Sequence, residues 1–214
     1  MARSALLLIA VCALAACGSS AASSSVTAAS SSSATAVARC GPPGARTLAA
    51  GAQARVYETG GAVYACAPGS RPPVRLGTAN RCLRAGRVDR TAVSGRLVAA
   101  ALTRCGVDAG QAAVEVLRLP DGRALYAHGA IGNPGPEAFS TVTDLVLSGR
   151  GRVAWIARSS SILRHRTQTE VHAGGPGGTR LLDSGAPVVP GSLRLSGGRV
   201  SWQHGSARRS GPLG

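Results

Sequence analysis

Two carboxylates, Asp89 and Asp144, have the positions in this sequence that best suit acid–base chemistry. Each precedes a comparable predicted strand, and two acids that face one channel can act as general acid and general base. They are, however, one residue out of register with each other, and a strand turns its side chains to the opposite face at each residue. We therefore expect both residues to cap turns or to lie in solvent, and we expect no enzymatic activity.

The four histidines add no catalytic or metal-binding motif. His128, His165, His172 and His204 are spread along the chain, and none adjoins a Ser and an Asp in a recognisable nucleophile motif. The sequence has no CxxC or Cys/His cluster with the ligand spacing of zinc, and no Asp-rich loop that suits calcium. The sequence therefore predicts no catalytic residue, no metal ion and no cofactor.

Four cysteines between residues 40 and 105 predict two disulfide bonds. Cys40, Cys66, Cys82 and Cys105 form an even set, which is typical of a disulfide framework in an oxidising compartment. Three pairings are open. Sequential pairing, Cys40 with Cys66 and Cys82 with Cys105, is slightly favoured because the two loops have similar lengths and similar places in an internal repeat.

The amino terminus has the layout of a secretory signal peptide. An apolar stretch from Ala5 to Ala13 follows Arg3 and runs into Leu14-Ala15-Ala16-Cys17. This ending resembles the lipobox of bacterial lipoproteins, which implies a diacylglyceryl group on Cys17 and a signal peptide at residues 1–16. Cleavage one residue earlier, which would give a secreted protein, and a retained segment are the alternatives. The stretch is shorter than the roughly 20 residues that span a bilayer.

The segment behind Cys17 predicts a disordered tether. Residues 18–39 are almost all Ser, Ala, Thr and Gly, so they cannot bury enough apolar surface to offset the entropy of ordering. A flexible coil of this length holds a domain on the order of 25 Å from a membrane. Residues 40–214 then suffice for one domain.

The chain is strongly basic, and all 24 of its basic residues are Arg, for a formal net charge of +15. A field of one sign attracts anionic lipid or teichoic-type polymers. Nucleic-acid binding needs a basic face with stacking aromatics, whereas these arginines are scattered and aromatics make up 3% of the chain. We therefore expect no nucleic-acid partner. Codon bias explains the arginine content as well.

An internal repeat predicts an all-β fold. Short alternating segments flank turns at Gly60, Gly95, Gly149 and Gly197, which is the hairpin signal. Further alternating segments between these hairpins raise each unit to about four antiparallel strands, and the units recur roughly every 40–50 residues.

In layout, these units resemble WD40-like and TolB-like β-propeller repeats. The resemblance implies a small four-bladed propeller-like domain over residues 44–213. Residues 44–51 share the length and pattern of residues 178–185, so we expect this N-terminal strand to pair with residues 206–213 and close the ring. An antiparallel β-sandwich is the alternative, because periodicity alone does not separate the two.

Two features of the repeat predict where packing and binding occur. Trp155 and Trp202 occupy equivalent places in two units, which favours core packing over a sugar-stacking platform. Two segments, residues 129–139 and 159–166, interrupt the strands and predict exposed loops. Because binding residues concentrate on the loops of rigid scaffolds, we expect binding residues among this set: Asn133, Glu137, Arg164, His165 and Arg166.

These features together predict a monomeric, extracytoplasmic lipoprotein of the cell envelope whose domain is a binding or interaction scaffold for an unidentified ligand. A propeller-type glycan hydrolase and an electrostatic adaptor to anionic cell-wall polymer or lipid are the alternatives. The expected partners are the membrane, through the lipid anchor, and an anionic envelope polymer or another envelope protein.

Overall fold

A computed structural model describes residues 40–69, 72–82, 86–135, 137–161, 163 and 165–214. Within these ranges every regular element is a β-strand, which confirms the predicted all-β class. The predicted signal peptide, the lipidation site Cys17 and the predicted tether lie outside the described residues. The described part of the chain holds no helix with the length and apolar character that a membrane crossing requires.

The described strands fall into four consecutive units of antiparallel neighbours. Single parallel pairs, Thr78 with Arg87 and Gly110 with Phe139, join the first three units into one large mixed sheet, and the last unit forms a separate sheet. The strands are, in unit 1, β1 (Arg46–Ala50), β2 (Arg55–Thr59), β3 (Ala62–Cys66) and β4 (Val74–Thr78); in unit 2, β5 (Arg87–Ser94), β6 (Leu97–Cys105), β7 (Gly110–Arg118) and β8 (Arg123–Gly129); in unit 3, β9 (Ala138–Leu147), β10 (Val153–Ser161), β11 (Arg166–Gly175) and β12 (Gly178–Ser184); and in unit 4, β13 (Arg194–Ser196), β14 (Arg199–His204) and β15 (Ala207–Pro212).

The hairpins predicted at the glycine turns are formed. The pairs β2–β3, β5–β6, β9–β10 and β13–β14 are all antiparallel neighbours. Gly95 and Gly197 have φ values of 59° and 55°, in the left-handed region that a two-residue hairpin turn requires. The sequence pattern of apolar strands separated by glycine turns therefore predicts these hairpins correctly.

The apolar core lies in three layers, each between successive units. Alternation along β6 shows the principle, because Val98 and Ala100 pack toward unit 1 whereas Ala99 and Ala101 pack toward unit 3. In β10 the same alternation points Trp155 toward unit 2 and Ile156 toward unit 4. The two middle units are thus buried on both faces, and each unit completes its core by stacking on the next.

Both tryptophans are core residues, as their equivalent positions predict. Trp155 is fully buried, and its indole Nε1 donates to the carbonyl oxygen of Ala130 at 2.8 Å. Trp202 is also buried, and its Nε1 donates to Asp183 Oδ2 at 2.6 Å. Each indole therefore packs on the preceding unit and donates its one hydrogen bond to that unit. Trp155 donates to the loop after β8 of unit 2, and Trp202 donates to β12 of unit 3.

The expected pairing between the two ends of the domain is wrong. Among the described strands, β1 pairs with β2 and β15 pairs with β14, so residues 44–51 do not close a ring with residues 206–213. The reason lies in the polarity of unit 4, whose outward face carries Arg194, Arg199 and Arg208. Ring closure would take these charges out of water against unit 1, at a large desolvation cost.

The structure has two disulfides, Cys40–Cys66 and Cys82–Cys105, in the sequential pairing that the sequence slightly favoured. The first packs with Tyr57 and Tyr64 over the outer face of unit 1. The second joins the segment after β4 to the end of β6, and so links units 1 and 2. Two disulfides fit an oxidising, extracytoplasmic compartment.

Candidate functional site

A cleft of about 710 Å³ opens at one end of unit 3. One wall is the loop between β8 and β9, and the other is formed where β10 ends and β11 begins, with the end of β12 beside them. The lining residues are Asn133, Pro134, Gly135, Glu137, Ser159, Ser161, Leu163, Arg166, Thr167, Gln168, Ser184, Gly185 and Ala186. Residues of both predicted binding segments thus line the same cleft. The prediction of an exposed loop over residues 159–166 is wrong in part, because β10 extends to Ser161, with Ser159 buried, and β11 begins at Arg166.

The chemistry of the lining is polar and close to neutral. Amides of Asn133 and Gln168 and several hydroxyl groups provide both donors and acceptors. Glu137 and Arg166 are the two charged side chains among the described lining residues, and they have opposite signs. Leu163 adds an aliphatic side chain that is 70% exposed. Such a surface suits a ligand that carries hydrogen-bonding groups and little net charge.

A buried carboxylate, Glu170, lies behind the cleft and ties its two walls together. Its Oε2 accepts hydrogen bonds from the backbone N–H of Gly132 at 3.0 Å and from His172 Nε2 at 2.6 Å. Its Oε1 accepts from Gln168 Nε2. Because Gly132 belongs to one wall and Gln168 to the other, Glu170 fixes both at once. Preorganisation of this kind lowers the ordering cost of binding.

His172 extends this support into the core. Its ring stacks on Trp155 with 5.3 Å between centroids and 11° between planes. Its Nδ1 is buried without a hydrogen-bond partner among the described residues, whereas Nε2 faces Glu170. The carboxylate, the imidazole and the indole form one packed column, which makes the floor of the cleft rigid.

The predicted binding residues do not all line the cleft. Asn133, Glu137 and Arg166 line the cleft. His165 is exposed in the turn between β10 and β11, with φ at 47°, and is not one of the lining residues. Arg164 lies outside the described residues.

The two carboxylates that suggested acid–base chemistry act as links between units. Asp89 Oδ2 accepts from Thr103 Oγ1 at 2.5 Å and from Thr141 Oγ1 at 2.9 Å. Asp144 Oδ2 accepts from the backbone N–H of Gly191 at 2.7 Å, at the start of unit 4. Both side chains are buried, so the expectation that they cap turns or lie in solvent is wrong: each bonds the following unit.

Asp183 makes the corresponding link between units 3 and 4. Besides Trp202, it accepts from His204 Nδ1 at 2.9 Å and from Arg209 Nη1 at 2.7 Å. Burial by itself raises the pKa of Asp183, but the hydrogen bonds from Trp202, His204 and the Ser184 N–H outweigh that effect, and the pKa lies below its ordinary value of 3.8. The ionised form is therefore the one that the folded protein stabilises.

Sequence reasoning missed the residues that support the cleft. Gln168, Glu170 and His172 alternate along β11, and two of the three are buried. Polar residues at every second position of a strand that runs into an apolar segment were the available signal, because they share one face. Across the described residues, no group of three or more His, Cys, Asp or Glu side chains is placed to hold a metal ion.

Comparison with known proteins leaves the function to be argued from this geometry. The chain matches no protein-family model, and a search of curated proteins gives no significant match.

Proposed function

We propose that this protein is an extracytoplasmic binding scaffold, held to the membrane by a lipid on Cys17, that binds a ligand in the cleft of unit 3. One observation carries the proposal: the β8–β9 loop at Asn133 and the start of β11 at Arg166, far apart in sequence, line one cleft whose walls share the buried carboxylate Glu170. Scaffolds that hold polar loops over a fixed floor are typical binding sites.

The class of ligand follows from the lining. Among the described lining residues, hydroxyl and amide groups predominate, and the carboxylate of Glu137 and the guanidinium of Arg166 offset each other. We propose a short, uncharged ligand rich in hydroxyl and amide groups, such as an N-acetylated envelope glycan. A glycan hydrolase is less favoured, because it needs two carboxyl groups across the scissile bond, and Glu137 is the sole carboxylate among the described residues that line the cleft.

For the architecture we propose an open propeller-like arrangement, in which the four units follow one another like blades and the first and last remain unpaired. The three successive core layers support it, because a sandwich of two sheets would bury one central layer instead. The polar outward face of unit 4 supports the open form.

The cleft proposal predicts that N133A/Q168A weakens ligand binding at least about tenfold, since each truncation removes a hydrogen bond to the ligand worth about 1 kcal/mol and Q168A also removes the donor to Glu170. The measurement is calorimetric titration with N-acetylglucosamine oligomers of two to six sugars. The control is Q111A, a truncation of an exposed glutamine on β7 outside the cleft, which should bind as the unchanged protein does. Failure of every oligomer to bind, or equal losses in both variants, would exclude the proposed ligand class.

The anchor proposal predicts that the unchanged protein fractionates with membranes and that C17S moves it to the soluble extracytoplasmic fraction. Multiple acyl chains give stable anchoring because each buried methylene contributes about 0.8 kcal/mol. Mass spectrometry of the mature amino terminus provides an independent reading, since it should show a lipid on Cys17. An unmodified amino terminus at Ala16 would instead establish simple secretion.

A further inference from the structure

The outward face of unit 4 is an exposed sheet face made mostly of polar and cationic side chains. Val200 and Trp202 of β14 point inward to the core, so the alternate residues of the three strands share the opposite face. We call this set the arginine face: Arg194, Ser196, Arg199, Ser201, Gln203, Arg208, Ser210 and Pro212. All but the half-buried Ser201 are exposed.

The strand register of unit 4 places the three arginines of this face in separate rows rather than in one cluster. Arg199 lies in one cross-strand row, Arg194 in the next, opposite Ser201, and Arg208 in the third, opposite Gln203. Successive rows on one face of a sheet are about 7 Å apart along the strands. Each row therefore presents one guanidinium group, and each of the three strands supplies one of them.

Among the described residues, these guanidinium groups donate to hydroxyl and backbone carbonyl oxygens and form no ion pair with a carboxylate. Arg199 Nη2 donates to Ser210 Oγ at 3.2 Å, and Arg208 Nη2 donates to Ser201 Oγ at 3.3 Å. Arg194 Nη1 donates to backbone carbonyl oxygens, including that of Leu193 at 2.7 Å. The hydroxyl and carbonyl acceptors orient the arginines without neutralising them.

The distribution of acids reinforces the positive field. Four of the nine acidic residues in the chain, Asp89, Asp144, Glu170 and Asp183, have buried side chains that are occupied by hydrogen bonds. One of them, Asp183, bonds to Trp202 and Arg209 on the inner side of the sheet of unit 4. Five of the nine acidic side chains therefore remain to face a polyanion that approaches the surface.

We propose that the arginine face binds a polyanionic chain with regularly spaced phosphodiester groups, such as a teichoic-type wall polymer. Spaced guanidinium groups match successive charges along a chain, and arginine pairs with phosphate through its planar fork. The face has no aromatic side chain on which bases stack, which disfavours nucleic acid. It also has no Trp, Phe or Leu to enter a lipid interface, which disfavours a membrane surface. This site is independent of the cleft in unit 3.

The test uses the full chain carrying C17S, so that no lipid contributes, and titrates fluorescent polyglycerol phosphate at 50 and 200 mM salt. R194Q/R199Q/R208Q should weaken binding about 10- to 100-fold at low salt and reduce the slope of log affinity against log salt by about 2 to 3. The matched control is R104Q/R123Q/R150Q, three exposed arginines in unit 2 and in the β9–β10 turn of unit 3 whose replacement removes the same charge.

The control separates a defined face from general attraction by a basic protein. It should lose less than about threefold in affinity, because distant surface charges are largely screened. Equal losses in the two triple variants would overturn the proposal, as would failure of the unchanged protein to bind the polymer. Tighter binding of single-stranded DNA or of vesicles with phosphatidylglycerol through the same three arginines would assign the face to those partners instead. Thermal unfolding of both variants checks that the fold is retained.

Discussion

Replacing Asp183 with alanine is expected to lower the free energy of unfolding by about 3–5 kcal/mol, because its buried carboxylate accepts three hydrogen bonds from unit 4 and a bond to a charged group contributes about 1.5–3 kcal/mol. The loss leaves three side-chain donors of unit 4, Trp202 Nε1, His204 Nδ1 and Arg209 Nη1, without their shared acceptor. The indole N–H is buried and cannot turn to water, so its desolvation is uncompensated. Equilibrium urea unfolding of the disulfide-intact protein gives the value.

The acid limb of the stability curve provides a second measurement on the same residue. Because the pKa of Asp183 in the folded protein is below its ordinary value of 3.8, the carboxylate stabilises the fold fully at pH above that value. The contribution is lost as pH falls through the folded pKa. D183N should therefore flatten the fall in stability below about pH 4.

The matched control is D121A, which removes a carboxylate that is 46% exposed and pairs with Arg118 on the surface. This variant should unfold like the unchanged protein, because exposed ion pairs are strongly screened. If D183A and D121A behaved alike, Asp183 would not be the link between units 3 and 4 that the geometry indicates.

The sequence predicted the local structure well because hairpins depend on neighbours. Glycine turns at Gly95 and Gly197 with alternating flanks define a hairpin within about a dozen residues. Ring closure, by contrast, depends on which face of unit 4 is apolar. The sequence showed that Arg194, Arg199 and Arg208 alternate with Val200 and Trp202, and this pattern, not the count of strands, opposes closure.

The sequence predicts the segments that line the candidate cleft but not the buried residues that support it. Asn133 and Arg166 lie in segments that interrupt the sequence pattern of the strands, so both could be recognised as candidate binding residues, although Arg166 is the first residue of β11. That the two segments meet depends on how unit 2 stacks on unit 3. Glu170 carries that junction by bonding Gly132 across 38 residues of sequence, and such a tertiary hydrogen bond leaves no periodic signal.

The contacts of the two buried aspartates, Asp89 and Asp144, could not be predicted from the sequence either. Asp89 and Asp144 are one residue out of register because Asp89 is itself the bulged residue of β5, whereas the bulge in β9 falls at Thr143. The two bulges have the same spacing to their turns. A bulge changes the direction in which a side chain points. Asp89 therefore reaches unit 3 from the bulge itself, whereas Asp144 reaches unit 4 from the position next to a bulge.

Trp155 is expected to contribute as much as Asp183, through packing. W155A should lower the free energy of unfolding by about 3–5 kcal/mol, since removal of a fully buried indole leaves a cavity between units 2 and 3. It also removes the stacked partner of His172 and the N–H that bonds the Ala130 carbonyl. Because Ala130 leads into one wall of the cleft, the same change should weaken binding there.

W155F separates the two contributions of the indole. Phenylalanine retains the stacking ring and most of the volume but loses the N–H, so the expected cost is about 1–2 kcal/mol, that of a buried carbonyl without its donor. Urea unfolding of both variants, with binding measured under native conditions, gives the comparison. Equal stability of W155A and W155F would mean that the hydrogen bond to Ala130, and not the packed column behind the cleft, holds units 2 and 3 together.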